Sequence, residues 1–263
     1  LSHEEGRWAL ILGASSGFGE AAARAFAAAG WDIFGVHLDR KAGLEHVEEI
    51  RTAIAAAGRT SHFFNVNAAD HDRRRETVAS LAQLAGGRPI GMLLHSLAFG
   101  TLKPFVADDE REAIAPQQMD MTLDVMAHSL VYWTQDVHRA GLLAEGSRIF
   151  AMTSAGDRVV WRAYGAVSAA KSALESHVRQ LAFELAPRGI TALAVKAGVT
   201  DTPALRKIPG NDVLVEGARA RNPSGRLTTP EDVAACLVEL ARPGARWLTG
   251  CVLNVDGGED VAG

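Results

Sequence analysis

The chain has 263 residues, 48% of them apolar and 22% charged, with 27 basic side chains against 31 acidic ones and a net charge of −4. That length suits one large α/β domain, and the weakly acidic balance gives no electrostatic footprint for nucleic acid or an anionic membrane. No apolar run approaches the roughly 18 residues of a membrane span, and the 2 cysteines and 9 scattered histidines form neither a disulfide framework nor a metal-ligand motif, so neither metal nor membrane is expected.

The amino-terminal stretch Leu1–Arg7 lacks a signal-peptide core. It opens on a residue other than methionine, which suggests a processed or incomplete start, and a reducing cytoplasm is the expected compartment. Trp8–Leu12 reads as a strand that runs into Gly13-Ala-Ser-Ser-Gly17-Phe-Gly19. An Ala-rich helix, Glu20–Ala29, follows and stops at Gly30. Asp32–Leu38 is a second strand, Leu44–Ala57 an amphipathic helix, Thr60–Val66 a third strand and Asp70–Leu84 a third helix. Pro89–His95 is a fourth strand. After a loop at Gly100–Asp109 comes a long helical region, Met119–Ala140; Trp133 there and Phe183 on the later helix read as core or as interface, with core favoured. Arg148–Thr153 is a strand, a helix runs from about Trp161 to Leu185, and Thr191–Lys196 is a further strand. The region Thr202–Gly225 is mixed and broken by Pro203, Pro209 and Pro223. Glu231–Ala241 is a helix and Cys251–Val255 a final strand. Strands alternating with helices of this length predict a parallel sheet wrapped on both faces. No repeat or linker divides the chain, so residues 1–263 read as a single domain.

Two stretches carry chemistry. Gly13, Gly17 and Gly19 fit G-x-x-x-G-x-G at the first strand-to-helix turn. Glycine there lets backbone N–H groups approach a pyrophosphate at a helix N-terminus. Glycine turns also occur for steric reasons alone; the position between first strand and first helix favours dinucleotide binding. The second stretch holds Tyr164 and Lys171. On a helix, seven residues turn through about 700°, within about 20° of two full turns, so the phenol and the ammonium would share one face. A nearby cation favours the phenolate, which would make Tyr164 a better proton donor or oxyanion stabiliser. Ser154, at the preceding strand end, is a third candidate. The alternative is an ordinary half-buried tyrosine and a solvated lysine.

The glycine turn, Ser154, a tyrosine ahead of Lys171 and Val255-Asp-Gly-Gly258 together resemble the short-chain dehydrogenase/reductases, over about Trp8–Gly258. The resemblance implies an α/β, Rossmann-like doubly wound sheet of seven parallel strands, with helices on both faces and a nicotinamide cofactor. It implies that Lys171 holds the nicotinamide ribose and lowers the tyrosine pKa. Gly13, Ser15, Ser16, Phe18 and Gly19 would line the pyrophosphate turn. Asn65 and Val66 would flank the adenine. Ser96, Gly198 and Thr202 would complete the cofactor contacts, Thr202 near the amide end.

Three departures from that family's usual pattern are informative. The usual tyrosine position, four before the lysine, holds Val167. The usual Asn-Asn-Ala-Gly is replaced by His95-Ser-Leu-Ala-Phe99. The usual asparagine of the long helix falls at Met126. Together they resemble the enoyl-acyl-carrier-protein reductase branch, in the subgroup that keeps an ordinary glycine motif; Thr200–Pro209 and Asn222–Leu227 point the same way. Hydride delivery to the β-carbon of an enoyl thioester develops charge on an oxygen two carbons away. A tyrosine moved three residues along a helix shifts by about 4.5 Å and about 60°, the scale that this chemistry needs.

At the end of the second strand, His37 falls where an acid usually accepts from the adenosine 2′-hydroxyl. Asp39 offers such an acid nearby, while Arg40 and Lys41 offer a clamp for a 2′-phosphate. NADP(H) is favoured and NAD(H) remains open. Residues 202–225 are read as a substrate lid lined by Ile208, Val213 and Leu214, with Ala98 and Phe99 also placed on the substrate side. The expected substrate is an acyl thioester, on acyl carrier protein or coenzyme A. The resemblance further implies a homodimer or homotetramer. Two other activities stay open: a keto or hydroxy oxidoreductase such as a 3-oxoacyl reductase, and a non-catalytic nucleotide- or acyl-carrier-binding protein.

Overall fold

A computed structural model of the chain describes residues 6–157 and 160–262. Most of the amino-terminal stretch considered above for targeting signals, Leu1–Glu5, lies outside the described residues. The elements follow in the order β1 (Trp8–Leu12), α1 (Gly17–Ala28), β2 (Asp32–His37), α2 (Leu44–Ala56), β3 (Ser61–Asn65), α3 (His71–Leu84) and β4 (Ile90–His95). They continue with α4 (Pro116–Leu123), α5 (Ser129–Arg139), β5 (Arg148–Ser154), α6 (Gly165–Leu185), β6 (Thr191–Ala197), α7 (Asn211–Arg221), α8 (Pro230–Ala241) and β7 (Val252–Val255).

The strands form one parallel sheet in the order β3-β2-β1-β4-β5-β6-β7. This is the doubly wound, Rossmann-like architecture. Its sequence cause is the two-sided apolar strand. Ala9 and Ile11 of β1 pack with α1, α2 and α8, while Trp8, Leu10 and Leu12 pack with α3, α5 and α6. The same alternation sends Phe150 and Met152 of β5 to the first core and Ile149 and Ala151 to the second. Successive side chains of a strand point to opposite faces, so a strand buried on both sides is apolar throughout. The order reverses direction between β1 and β4. The loops leaving those two strands therefore diverge and open a crevice at the carboxyl ends of the strands.

Three elements depart from the reading above. The long helix starts earlier, at Pro116, and is interrupted by a π-helical turn at Asp124–His128, whose Val125, Met126 and Ala127 are buried. Residues Thr202–Gly225 contain the helix α7, with Ala218 as its buried residue. Phe183 is 79% exposed and not core, because it lies on the solvent side of α6, whereas Trp133 is fully buried and donates its indole N–H to the Ala68 carbonyl at 2.8 Å.

Candidate active site

The crevice is built first by glycine. Gly13 ends β1 at φ +90°, and a Cβ there would lie 2.5 Å from the Ser96 carbonyl oxygen. Gly19 lies against the Gly13 carbonyl with no room for a side chain. The helix α1 begins at Gly17, three residues earlier than the pattern suggested, and its N-cap Ser16 is extended and makes no side-chain cap bond. The first amides of α1 therefore carry no capping oxygen from Ser16, while the Gly13 and Ala14 amides donate to the Val36 carbonyl at 2.8 and 3.0 Å and fix the turn. An anion-bearing cofactor fits such a cradle. Ser15 and Phe18 are half-buried on the same turn. Thr202 reaches it from the far side: its methyl lies 3.4 Å from where a Gly17 Cβ would stand, and its hydroxyl accepts from the Leu205 amide at 3.2 Å. Gly198 is packed against Thr228 and Glu259.

At the ends of β2 and β3, His37 is buried and its Nδ1 lies 2.8 Å from the Asp39 carboxylate. Asn65 accepts from the Asp39 amide at 3.0 Å and donates to the Asp39 carbonyl at 2.9 Å. Its amide thus clasps the β2 loop at the corner where the resemblance places an adenine. The Val66 amide donates to the His37 carbonyl at 2.8 Å, fixing the same corner. Arg40 and Lys41 are exposed.

The three catalytic candidates converge where β5 ends. Ser154 is the last residue of β5, and its hydroxyl hydrogen-bonds the Tyr164 phenol. Gly156 lies under the Tyr164 ring with no room for a side chain between them. The helix expected from Trp161 begins instead at Gly165. Tyr164 is its N-cap, at φ −97° and ψ −2°, because the preceding Ala163 takes φ +63° and cannot be helical. The Tyr164 carbonyl still accepts the first helical bond, from the Ser168 amide at 2.9 Å. Lys171 is buried and donates from Nζ to the Met152 carbonyl at 2.8 Å.

The electrostatics correct one expectation. Burial raises the Tyr164 pKa above its ordinary value, and the Ser154 hydrogen bond offsets only part of that rise. The expected depression by Lys171 is absent, since the ammonium is turned to a backbone carbonyl. Burial also drives the Lys171 pKa down to about 8, against the opposing charge of Glu175. Both groups are thus held closer to neutrality than in water, where a nearby anion or oxyanion changes them most.

Beneath them lies a group whose role the sequence did not reveal. His95, the last residue of β4, is completely buried, and burial followed by the Lys171 charge drives its pKa down to about 3. Its Nε2 lies 2.9 Å from the Ser129 hydroxyl, which donates to the Val125 carbonyl in the π-helical turn. Its Nδ1 has no partner among the described residues. Motif matching singled out His95 without indicating that it would be a neutral, buried neighbour of Lys171. Met126 and Val167, at the usual asparagine and tyrosine positions, are buried together beside Gly100.

On the substrate side, Ala98 is exposed, Phe99 is 61% exposed and Phe105 lies over Gly165. Ile208 and Leu214 are half-buried, whereas Val213 is 59% exposed and does not line an enclosed surface.

A glycine cradle at the switch point of a doubly wound parallel sheet, with serine, tyrosine and lysine beside it, defines a nicotinamide-dependent oxidoreductase site. The comparisons agree. A family model described as enoyl-(acyl carrier protein) reductase matches residues 13–259, and the chain belongs to the short-chain dehydrogenase/reductase family. It is 32% identical over 179 residues to the enoyl-(acyl-carrier-protein) reductase (NADH) of Aquifex aeolicus, covering 66% of this chain and 63% of that one. It is 29% identical over 262 residues to the galactitol 2-dehydrogenase (L-tagatose-forming) of Cereibacter sphaeroides, covering 98% and 96%. The crystal structure of the Aquifex enzyme superposes with a TM-score of 0.84 at 25% identity, covering 98% of this chain and 97% of that one. A Burkholderia cenocepacia short-chain dehydrogenase in complex with NADP gives 0.83 at 28% identity, covering 98% and 100%.

Proposed function

We propose that the protein reduces the carbon–carbon double bond of an enoyl thioester with NADPH. One observation carries this reading. Position 167, where an ordinary family member has its tyrosine, is a valine buried beside Met126 and Gly100. The site's phenol comes instead from Tyr164, before the helix starts and against Ser154. A donor displaced toward the crevice mouth suits an oxygen remote from the carbon that is reduced.

The glycine turn, Lys171 and Thr202 would hold the cofactor, which would supply hydride to the β-carbon. Tyr164 donates its hydrogen bond to the thioester oxygen as that oxygen takes up the enolate charge, and a proton delivered to the α-carbon, from Tyr164 or from water, completes the reduction. A preorganised donor in a site screened from water is worth most at that point. Ser154 holds the phenol in place from behind. Lys171, which donates to the Met152 carbonyl, would turn to the ribose hydroxyls, and its charge would then lie near the developing anion.

The cofactor is proposed to be NADPH because the Asp39 carboxylate is already engaged by His37. Arg40 and Lys41 remain exposed for a 2′-phosphate. The substrate is proposed to be carried by acyl carrier protein or coenzyme A, the lid to be residues 202–225 of a single domain, and the assembly to be a homodimer or homotetramer. A second reading, ketone reduction, is favoured by the Ser154–Tyr164 hydrogen bond, since two adjacent hydroxyls can hold a carbonyl oxygen. Oxidation of NADPH with crotonyl thioester supports the first reading, and turnover of acetoacetyl thioester the second. Tight cofactor binding with neither leaves a non-catalytic binding protein. Lys171→Ala is expected to impair both cofactor binding and turnover.

A further inference from the structure

Trp161 is absorbed by neither the cofactor cradle nor the catalytic trio, yet it joins two parts of the site. Its indole N–H donates to the Pro209 carbonyl at 2.9 Å. Its ring lies 3.2 Å from where a Cβ on Gly210 would stand, and Gly210, at φ +74°, is the N-cap of α7. The same residue begins the turn that ends at Tyr164: the Tyr164 amide donates to the Trp161 carbonyl at 3.1 Å. Within that turn Ala163 is held at φ +63°, a conformation that an alanine adopts only when its surroundings impose it. Glycine would be the ordinary choice, because it takes positive φ without a steric cost.

We propose that Trp161 is a positioning residue that latches the 202–225 segment to the strained turn aiming the Tyr164 phenol. Closing that segment and orienting the phenol are then one event. With the indole seated on Gly210 and bonded to Pro209, Ala163 is forced into its left-handed state. The ring of Tyr164 is then pressed toward Gly156 and Ser154. With the indole released, Ala163 relaxes and the phenol loses its fixed direction. The turn is short, so little slack separates the two ends. This inference rests on the reading of Tyr164 as the oxyanion donor.

The test uses Trp161→Phe, which keeps a ring over Gly210 and removes the donor. Arg206 and Lys207 in the short turn Leu205–Lys207 are tryptic sites on the latched segment. When opening is fast relative to cleavage, the cutting rate follows the open population. One neutral hydrogen bond sets the scale at roughly fivefold. Trp161→Phe is expected to speed the cut at Arg206 and Lys207 by roughly that factor and to lower kcat with crotonyl thioester similarly. The melting temperature should stay within about 3 °C and the NADPH Kd within about twofold, a pattern that general destabilisation would not give. Ala163→Gly is the second variant: glycine takes the positive φ without steric cost, so combined with Trp161→Phe it should restore kcat while tryptic cutting stays fast. Unchanged cutting in Trp161→Phe overturns the latch. Faster cutting with unchanged kcat in Trp161→Phe, or a kcat that Ala163→Gly does not restore, overturns the coupling. Full activity in Tyr164→Phe removes the donor reading and the positioning claim with it, while the cutting rates still report on the latch by themselves.

Discussion

The two ends of the sheet handle buried charge in opposite ways. At the amino end of β2, Asp32 accepts from Arg59 Nε at 3.0 Å and the Thr60 amide at 2.9 Å, and also from Arg88. Arg88 in turn lies over the Trp8 ring at 4.7 Å. Burial works to raise the Asp32 pKa, but the Arg88 hydrogen bond, the Thr60 amide and the two cations together hold it below the usual carboxylate value. At the carboxyl ends, His95 and Lys171 are buried and Tyr164 is half-buried, all with few partners, and each is pushed toward its neutral form. The lower end spends its polar groups on one another. The upper end keeps them available for a ligand, at a cost in stability.

If that contrast is right, substitutions at the two ends should separate activity from stability. The largest effect is expected for Tyr164→Phe. Losing one preorganised oxyanion donor costs about 10²- to 10³-fold in kcat, whereas losing the one neutral hydrogen bond to Ser154 costs only about 1 kcal/mol and should lower the melting temperature by no more than about 4 °C. Steady-state kinetics and thermal melting on one preparation check both halves. A Tyr164→Phe protein that melts much earlier yet turns over normally would invert the contrast.

Asp32→Ala is the mirror experiment. Removing one member of a buried ion pair typically costs about 3–5 kcal/mol; here Arg88 and Arg59 both reach solvent, so a loss of about 2 kcal/mol is expected. The activity of the folded fraction should be unchanged. Urea unfolding read beside specific activity decides it.

The third test concerns acid. His95 binds its proton far more weakly in the folded chain than in the unfolded one, with a folded pKa of about 3. The unfolded state therefore holds the extra proton between about pH 6.5 and 3. Stability falls by about 1.4 kcal/mol for each pH unit lost across that window. Burial lowers the His62 and His177 pKa values as well, while the Glu20 and Glu49 bonds raise that of His46. The difference between the wild type and His95→Leu therefore isolates the term. Asp32 acts only lower down: its depressed pKa gives stability that is present above about pH 4 and is lost as pH falls through the folded value. Equal slopes in urea titrations of the two proteins from pH 6 to 4 would show that His95 is not held neutral by its burial.

What the residues disclosed in advance divides along the same line. Periodicity and glycine placement gave the sheet and the cradle, because two-sided apolar strands and a glycine-rich first turn have few other uses. Tyr164 and Ser154 came from spacing and resemblance, and the structure does bring them together. The start of α6 was misplaced because nothing about an alanine announces φ +63° at position 163. The π-helical turn has no signal in the sequence either: Asp124-Val-Met-Ala-His128 carries an ordinary helical pattern. The pKa of Tyr164 was assigned the wrong sign because sequence shows that a lysine is near, but not that its ammonium bonds the Met152 carbonyl.

The smallest effect is expected from a pair of arginines, one at each end. Arg59 and Arg40 flank the same strand region, but Arg59 pairs with Asp32 at 3.0 Å whereas Arg40 is exposed beyond β2. Arg59→Ala should lower stability by about 1 kcal/mol, the scale of a partly exposed pair, and leave cofactor affinity alone. Arg40→Ala should do the reverse: an exposed guanidinium gives a 2′-phosphate only about three- to fivefold in Kd, and a hydroxyl gains nothing from it. Fluorescence titration with NADPH and NADH reads the two separately. A loss confined to NADPH assigns the phosphate to Arg40. Equal small losses for both would mean that Arg40 serves the general field of the crevice.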